Sequence, residues 1–220
     1  MKNFSFLITL FLFSFISYGQ GYVTLQDKPF VYNHVLDSVL WKKIENNPSF
    51  CTLTEKEQLF FYWVNQFRSS PQNFYITVIK EFIHQFPEAN SKEYRDLEKD
   101  VFLAKPLPLL FPEKGLLKIS IEHSFDLSKR GGIISHKSAG GKDFVQRIKE
   151  AGSYRCGAEN IFVGTYDPLE ALIALLIDFG VADKGHRINL LDPKFIIMGV
   201  SFIPISPKKA VLVQIFSCAF

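Results

Sequence analysis

Three cysteines in 220 residues are too few for a disulfide framework, so a hydrophobic core must carry the fold. Runs of one charge are also missing. Lys and Arg number 25 against 22 Asp and Glu, a formal net charge of +3 scattered along the chain. No basic stripe remains to track a phosphate backbone, which excludes nucleic acid as the expected partner. After the first twenty residues no apolar segment is long and unbroken enough to span a bilayer, which takes about 20 residues. The chain has no internal repeat and no low-complexity tract. Its length fits one domain with some decoration.

What is present is apolar and aromatic. Hydrophobic residues make up 47% of the chain and 23 of its residues are Phe, which reads as an aromatic core before it reads as an apolar groove. The N-terminus has its own pattern. Lys2 precedes an almost unbroken apolar stretch from Phe4 to Ile16, and Ser17-Tyr18-Gly19-Gln20 supplies small residues. That is the layout of a secretory signal peptide over residues 1–19, with a mature protein beginning near Gln20. No Cys lies near the cleavage region to carry a lipid, the first being Cys51. The expected address is therefore periplasmic or extracellular.

Residues 20–53 form a weakly patterned N-terminal segment, with one short helix around Val35 to Leu40 that ends before Asn46-Asn47-Pro48. Thr54 and Glu57 make a capping box, and Leu59, Phe60, Trp63, Val64 and Phe67 follow at helical spacing. Ser69-Ser70-Pro71 ends that helix and starts a second, with Phe74, Val78 and Phe82 along one face. Residues 87–110 read as a polar surface insertion. A third helix follows Pro112 and stops at Gly131-Gly132, and a fourth covers about Lys142 to Ala151. Asp167-Pro168-Leu169-Glu170 opens a fifth that is apolar nearly all round, hence buried. Two strand-like runs, Phe195 to Ile203 and Ala210 to Phe220, close the chain as a hairpin. Helices first and a hairpin last predict an α+β layered domain over residues 54–220. The buried helix is expected on one face of the hairpin and the early helices on the other.

Four polar side chains stand in glycine-punctuated segments: His136, Glu159 in Gly157-Ala158-Glu159-Asn160-Ile161, Asp178 at the end of the buried helix, and His186 in Gly185-His186-Arg187. Together with Asn65-x-x-Arg68-x-x-Pro71, their order resembles the CAP superfamily of cysteine-rich secretory, antigen 5 and pathogenesis-related 1 proteins, in its bacterial exported branch. The resemblance covers roughly residues 54–220. It implies a three-layer α-β-α sandwich with a central antiparallel sheet, and a cleft holding His136, Glu159, Asp178 and His186. Asp178 departs from the family pattern, which often has a Glu three residues after a Trp; here Leu175 holds the Trp place.

Imidazoles and carboxylates suit Zn²⁺ or a similar divalent ion, with His136 and His186 as ligands and Glu159 beside them. Such a site can activate water, and without metal a carboxylate beside His can serve as a general base. The alternative is a rigid polar knot in which the acids cap backbone amides and orient the rings. His123 reads as a helix-face residue paired with Asp126, and His34 and His84 as surface residues. Asn65 and Arg68 are expected to lock a helix end, and Arg187 to hold its loop. In an oxidising compartment Cys156 and Cys218 can form one disulfide; two buried thiols are the alternative, and Cys51 stays unpaired.

Three functions follow from the resemblance. The first is an exported module whose cleft binds a small apolar ligand, a lipid or a peptide. The second is a metal-dependent hydrolase acting on peptides. The third is a cell-envelope interaction domain without catalysis.

Overall fold

The computed structural model describes residues 28–152 and 154–218; the expected signal peptide and residues 20–27 lie outside the described residues. The chain enters as an extended strap and then forms α1, Ser38–Glu45, capped by the Asp37 carboxylate and ended at Asn46. Helix α2, Glu55–Ser69, starts at the capping box that Thr54 and Glu57 predict, each satisfying an otherwise unpaired amide. Its stretch Phe60 to Val64 is buried along with Phe67. Helices α3, Pro71–Phe74, and α4, Lys80–Gln85, run on through a π turn over Tyr75–Ile79.

The segment expected as a polar surface insertion is built in instead. It holds helix α5, Lys92–Leu103, capped by Ser91, with Leu97 and Val101 fully buried. These two residues are four apart, so a single apolar seam faces the core while the charged residues face water. The two-residue strand β1, Phe111–Pro112, leads into α6, Lys114–Lys129. Then come α7, Phe144–Ala151, and β2, Ala158–Thr165. Helix α8, Pro168–Ile177, is buried on most sides, as its apolar composition predicts, and α9, Gly185–Leu191, follows it. The closing hairpin is β3, Ile197–Pro204, and β4, Lys209–Ser217.

The sheet order is β1-β3-β4-β2. Strands β3, β4 and β2 are antiparallel, and only the short β1 runs parallel, beside β3. The hairpin is thus central, which accounts for the near absence of polar alternation in its strands. Side chains alternate across it. Met198, Val200 and Phe202 join Leu212 and Phe216 in the larger core under α2 and α8. Ile161, Val211, Val213 and Ile215 face the other way, into a smaller core with Leu116, Ile119 and Leu127 of α6 and Ile148 of α7. The result is a three-layer α-β-α sandwich. The layers are distributed differently from the sequence expectation: the early helix α2 shares a face with α8, and α6 covers the opposite face. Helix α2 lies there because its apolar residues surround it too widely to rest on a sheet alone, so it packs on the equally apolar α8.

Two buried arginines tie this frame to its loops. Arg68 donates to the carbonyls of Pro108, Leu190, Asp192 and Phe195, fixing the turn that leads into β3. Burial lowers its pKa to about 10, so it still carries its charge at neutral pH. Asn65 receives the Leu110 amide and donates to the Leu110 carbonyl, pinning the approach to β1. Both residues therefore do more than close the helix on which they stand.

Candidate functional site

Two His–acid pairs form, one on each face of strand β2. In the first, Nδ1 of His136 lies 2.8 Å from Oε1 of Glu159. The Glu159 side chain is 1% exposed and the His136 side chain 58%, so a buried carboxylate aims an open imidazole. Arg147 of α7 completes the arrangement. Its Nη2 is 2.8 Å from the Glu159 carboxylate and also donates to the His136 carbonyl, at 3.2 Å. A buried carboxylate is costly without a partner charge, and Arg147 supplies it. With Nδ1 engaged, the free nitrogen of His136 is Nε2.

In the second pair, Nδ1 of His186 lies 2.6 Å from Oδ1 of Asp178. Asp178 caps the end of α8 in the left-handed conformation, φ 63° and ψ 47°. Asp tolerates this region better than most residues. The turn points its carboxylate at the start of α9, where Oδ2 accepts the amides of His186 and Arg187. Asp178 thus orients its ring and caps backbone donors at once. Arg187 both holds its loop and pairs with an acid: it donates to the carbonyls of Leu176, Ile177 and Glu93 and to the carboxylate of Asp100, at 2.7 Å.

Strand β2 links the two pairs through its neighbours Glu159 and Asn160. Glu159 and Asn160 are consecutive in an extended strand, so their side chains leave on opposite faces. Glu159 faces α7, while Asn160 accepts from Asn189 of α9 and donates to the His186 carbonyl and to Gln214. No hydrogen bond joins His136 or Glu159 to His186 or Asp178 among the described residues. A shared metal needs both imidazoles in one shell of roughly 2 Å bonds. Among the described residues no group of three or more His, Cys, Asp or Glu side chains is placed to hold a metal ion. The side chains as placed among the described residues therefore do not form a common zinc centre.

A cleft of about 200 Å³ lies between α6 and α7, lined by Lys118, Glu122, His123, Ser138, Lys142, Arg147 and Glu150 among others; Arg147 connects it to Glu159 and to the His136 carbonyl. His123 is not the surface partner of Asp126 that its sequence position suggests. It is 1% exposed and its Nε2 lies 2.9 Å from the Ser135 carbonyl, while Asp126 pairs with Arg130 and the Ala139 amide. Burial lowers its pKa, against the nearby Glu159 charge, which keeps the ring neutral at pH 7. Arg147 is the residue that the sequence reading missed; its place beside Ile148 on the apolar side of a short helix was the available signal. His34 is half-buried against Tyr62 and Trp63, whereas His84 is exposed as expected.

At the foot of β2 the structure joins Cys156 to Cys218 in a disulfide, with Cα atoms 5.7 Å apart; Cys51 is free and exposed. The bond ties the entry of β2 to the end of β4. Ser217 reinforces it by donating to the Cys156 carbonyl.

The model of the cysteine-rich secretory protein family, CAP, matches residues 61–220. The chain belongs to this family. Solved structures similar to this CAP chain include an extracellular protein containing an SCP domain from Bacillus anthracis, at 28% identity and a TM-score of 0.43. That match covers 51% of this chain and 35% of the other, so it spans about a third of the Bacillus protein. An outer surface protein of Borrelia burgdorferi matches at 17% identity and a TM-score of 0.43, over 58% of this chain and 90% of that one. A cysteine-rich secretory protein of Staphylococcus aureus matches at 19% identity and a TM-score of 0.36, over 62% and 41%. No curated protein matches the chain. Among the described residues no helix is long and apolar enough to cross a membrane.

Proposed function

We propose that this CAP domain is exported and binds a peptide segment in the cleft between α6 and α7, with His136, joined to that cleft through Arg147, as a further contact. One observation carries the reading: an open imidazole whose direction is fixed by a buried carboxylate, itself braced by Arg147. Such an imidazole is organised before the ligand arrives, so binding loses little side-chain freedom. The cleft beside it is lined mostly by charged and polar side chains of both signs, which suits the amides and termini of a peptide better than a lipid chain. Export is supported by the apolar N-terminal stretch of the sequence and by the disulfide, which persists in oxidising compartments.

The hydrolase reading draws on the same imidazole, whose Nε2 is free to take a proton. Among the described residues neither serine beside His136 is placed as its nucleophile. Ser135 Oγ is engaged with Lys137, and Ser138 Oγ accepts the Lys142 amide; neither bonds an imidazole. Binding is the function that the geometry supports best.

The test is to purify the chain from the medium or envelope fraction of producing cells, denature it, and identify released molecules by mass spectrometry. The reading expects peptides, lost in His136→Ala while the melting curve stays cooperative. Lipid in place of peptide, or an unchanged load in the variant, contradicts it.

A further inference from the structure

Two nearly buried side chains at the floor of the α6–α7 cleft keep polar atoms that no described residue satisfies. Arg147 is 7% exposed and His123 1%, and both line the cleft. Nη2 of Arg147 serves Glu159 and the His136 carbonyl, while its Nε and Nη1 have no hydrogen-bond partner among the described residues. Nδ1 of His123 has none either. Buried donors and acceptors are normally paired, and an unpaired one costs free energy that a ligand recovers. The cleft volume of about 200 Å³ is several times what one water needs, so it admits the end of a side chain.

The proton positions decide what fits. Nε2 of His123 lies 2.9 Å from the Ser135 carbonyl, which only accepts, so the ring carries a proton on Nε2. Burial disfavours a second proton; the Glu159 charge opposes this and the Arg147 charge adds to it. Nδ1 therefore offers a lone pair. The floor presents donors from Arg147 beside an acceptor from His123. A carboxylate satisfies the first and is repelled by the second. Nor does the cleft hold spare positive charge: Lys142 pairs with Glu150 at 2.7 Å, Lys118 with Glu122 at 4.0 Å, and Arg147 with Glu159 at 2.8 Å. A trans peptide group points its N–H and C=O in opposite directions, so it does not bring both to one floor. A hydroxyl puts both roles on a single atom. A primary carboxamide carries an acceptor oxygen and a donor N–H side by side on one edge.

From this pattern we propose that the cleft floor is a carboxamide subsite that takes the side chain of an Asn or Gln residue, its oxygen on Arg147 and its NH₂ on Nδ1 of His123. The proposal rests on the peptide reading only for what carries the amide; the pattern of donors and acceptor stands without it.

The experiment titrates the chain, labelled with ¹⁵N-histidine, at pH 7. The probes are synthetic pentapeptides, N-acetylated and N-methylamidated, with Gln, Glu, Ser or Leu at the centre between glycines. The Gln peptide is expected to shift the His123 Nδ1 resonance saturably. It should bind at least tenfold tighter than the others, which lack a donor and an acceptor on neighbouring atoms. Methylating both hydrogens of the Gln amide nitrogen removes the donor, keeps the oxygen, and should abolish the preference in the unaltered protein. Arg147→Lys retains a charge for Glu159 but loses the guanidinium donors, and should weaken the Gln peptide about tenfold while the melting curve stays cooperative. Glu, Ser or Leu peptides that bind as tightly as Gln, a dimethylated peptide that binds as well, or no binding of the Gln peptide at millimolar concentration overturns the proposal. Gln-selective binding by a protein that releases no peptide on denaturation supports the subsite and contradicts the peptide reading alone. Peptide release without selectivity for Asn or Gln does the reverse.

Discussion

Glu159 and Asn160, neighbours in β2, send their side chains to opposite faces of the sheet and so assign one imidazole to each. Glu159 takes His136 beside α7, and Asn160 takes the backbone of His186 beside α9. A single strand thus organises two His–acid pairs without merging them. Its place at the sheet edge, paired only with β4, leaves room for both.

Arg147 supports the first pair electrostatically. Replacing it by Met leaves the Glu159 carboxylate buried without the cation that offsets its charge. Breaking a buried ion pair from one side is expected to cost on the order of 3 kcal/mol. Urea unfolding of Arg147→Met should show this loss. The double variant Arg147→Met/Glu159→Gln should recover part of it, since no unpaired charge then remains.

His123 makes stability depend on pH. Burial lowers its pKa from 6.5, so the folded state favours the neutral ring. Its contribution is complete above that value and is lost as pH falls below it. Thermal melts should therefore show a declining Tm from pH 7 to pH 5. His123→Gln, which can still donate to the Ser135 carbonyl, should flatten that slope.

The disulfide closes a long loop, with 62 residues of sequence separation. In the chain-entropy model such a bond stabilises by about 4 kcal/mol. A Cys156→Ser/Cys218→Ser variant should lose much of this in denaturant titrations. Reducing agent should have the same effect on the parent and none on the variant.

Gly199 lets α6 approach the sheet. A Cβ there would stand 2.3 Å from the carbonyl carbon of Leu116, a backbone atom that cannot swing aside. Gly199→Ala should cost about 1–3 kcal/mol through overpacking. Chemical denaturation measures it directly.

Much of this fold was legible where local signals and tertiary demands agree. The Thr54–Glu57 box, Pro168 at the start of an apolar helix and the two unalternating final strands each state their element and their burial. Strand β2 was not legible. Glu159, Asn160 and Gly164 interrupt its apolar residues, and as an edge strand it draws its definition from β4 rather than from its own pattern. Helix α5 was hidden by its charge, although Ser91 at its cap and the Leu97–Val101 spacing were readable. At the site, all four residues stand out in the sequence, and the fold sets an acid beside each His. Their division into two pairs was not visible, because it depends on which way consecutive side chains of β2 point. Arg147 stayed unseen because only the fold brings it to Glu159 of β2 and the His136 carbonyl, and His123, read as a partner of Asp126, instead meets the Ser135 carbonyl.

The central claim is that His136 and His186 belong to separate carboxylates and each keep Nε2 free of the pair. Long-range ¹H–¹⁵N NMR of the imidazole nitrogens at neutral pH, recorded with and without one equivalent of Zn²⁺, tests it most directly. The account predicts that both rings carry their proton on Nδ1, that Glu159→Gln disturbs His136 alone, and that zinc does not shift the two rings together. One equivalent of zinc moving both imidazoles in step would contradict it.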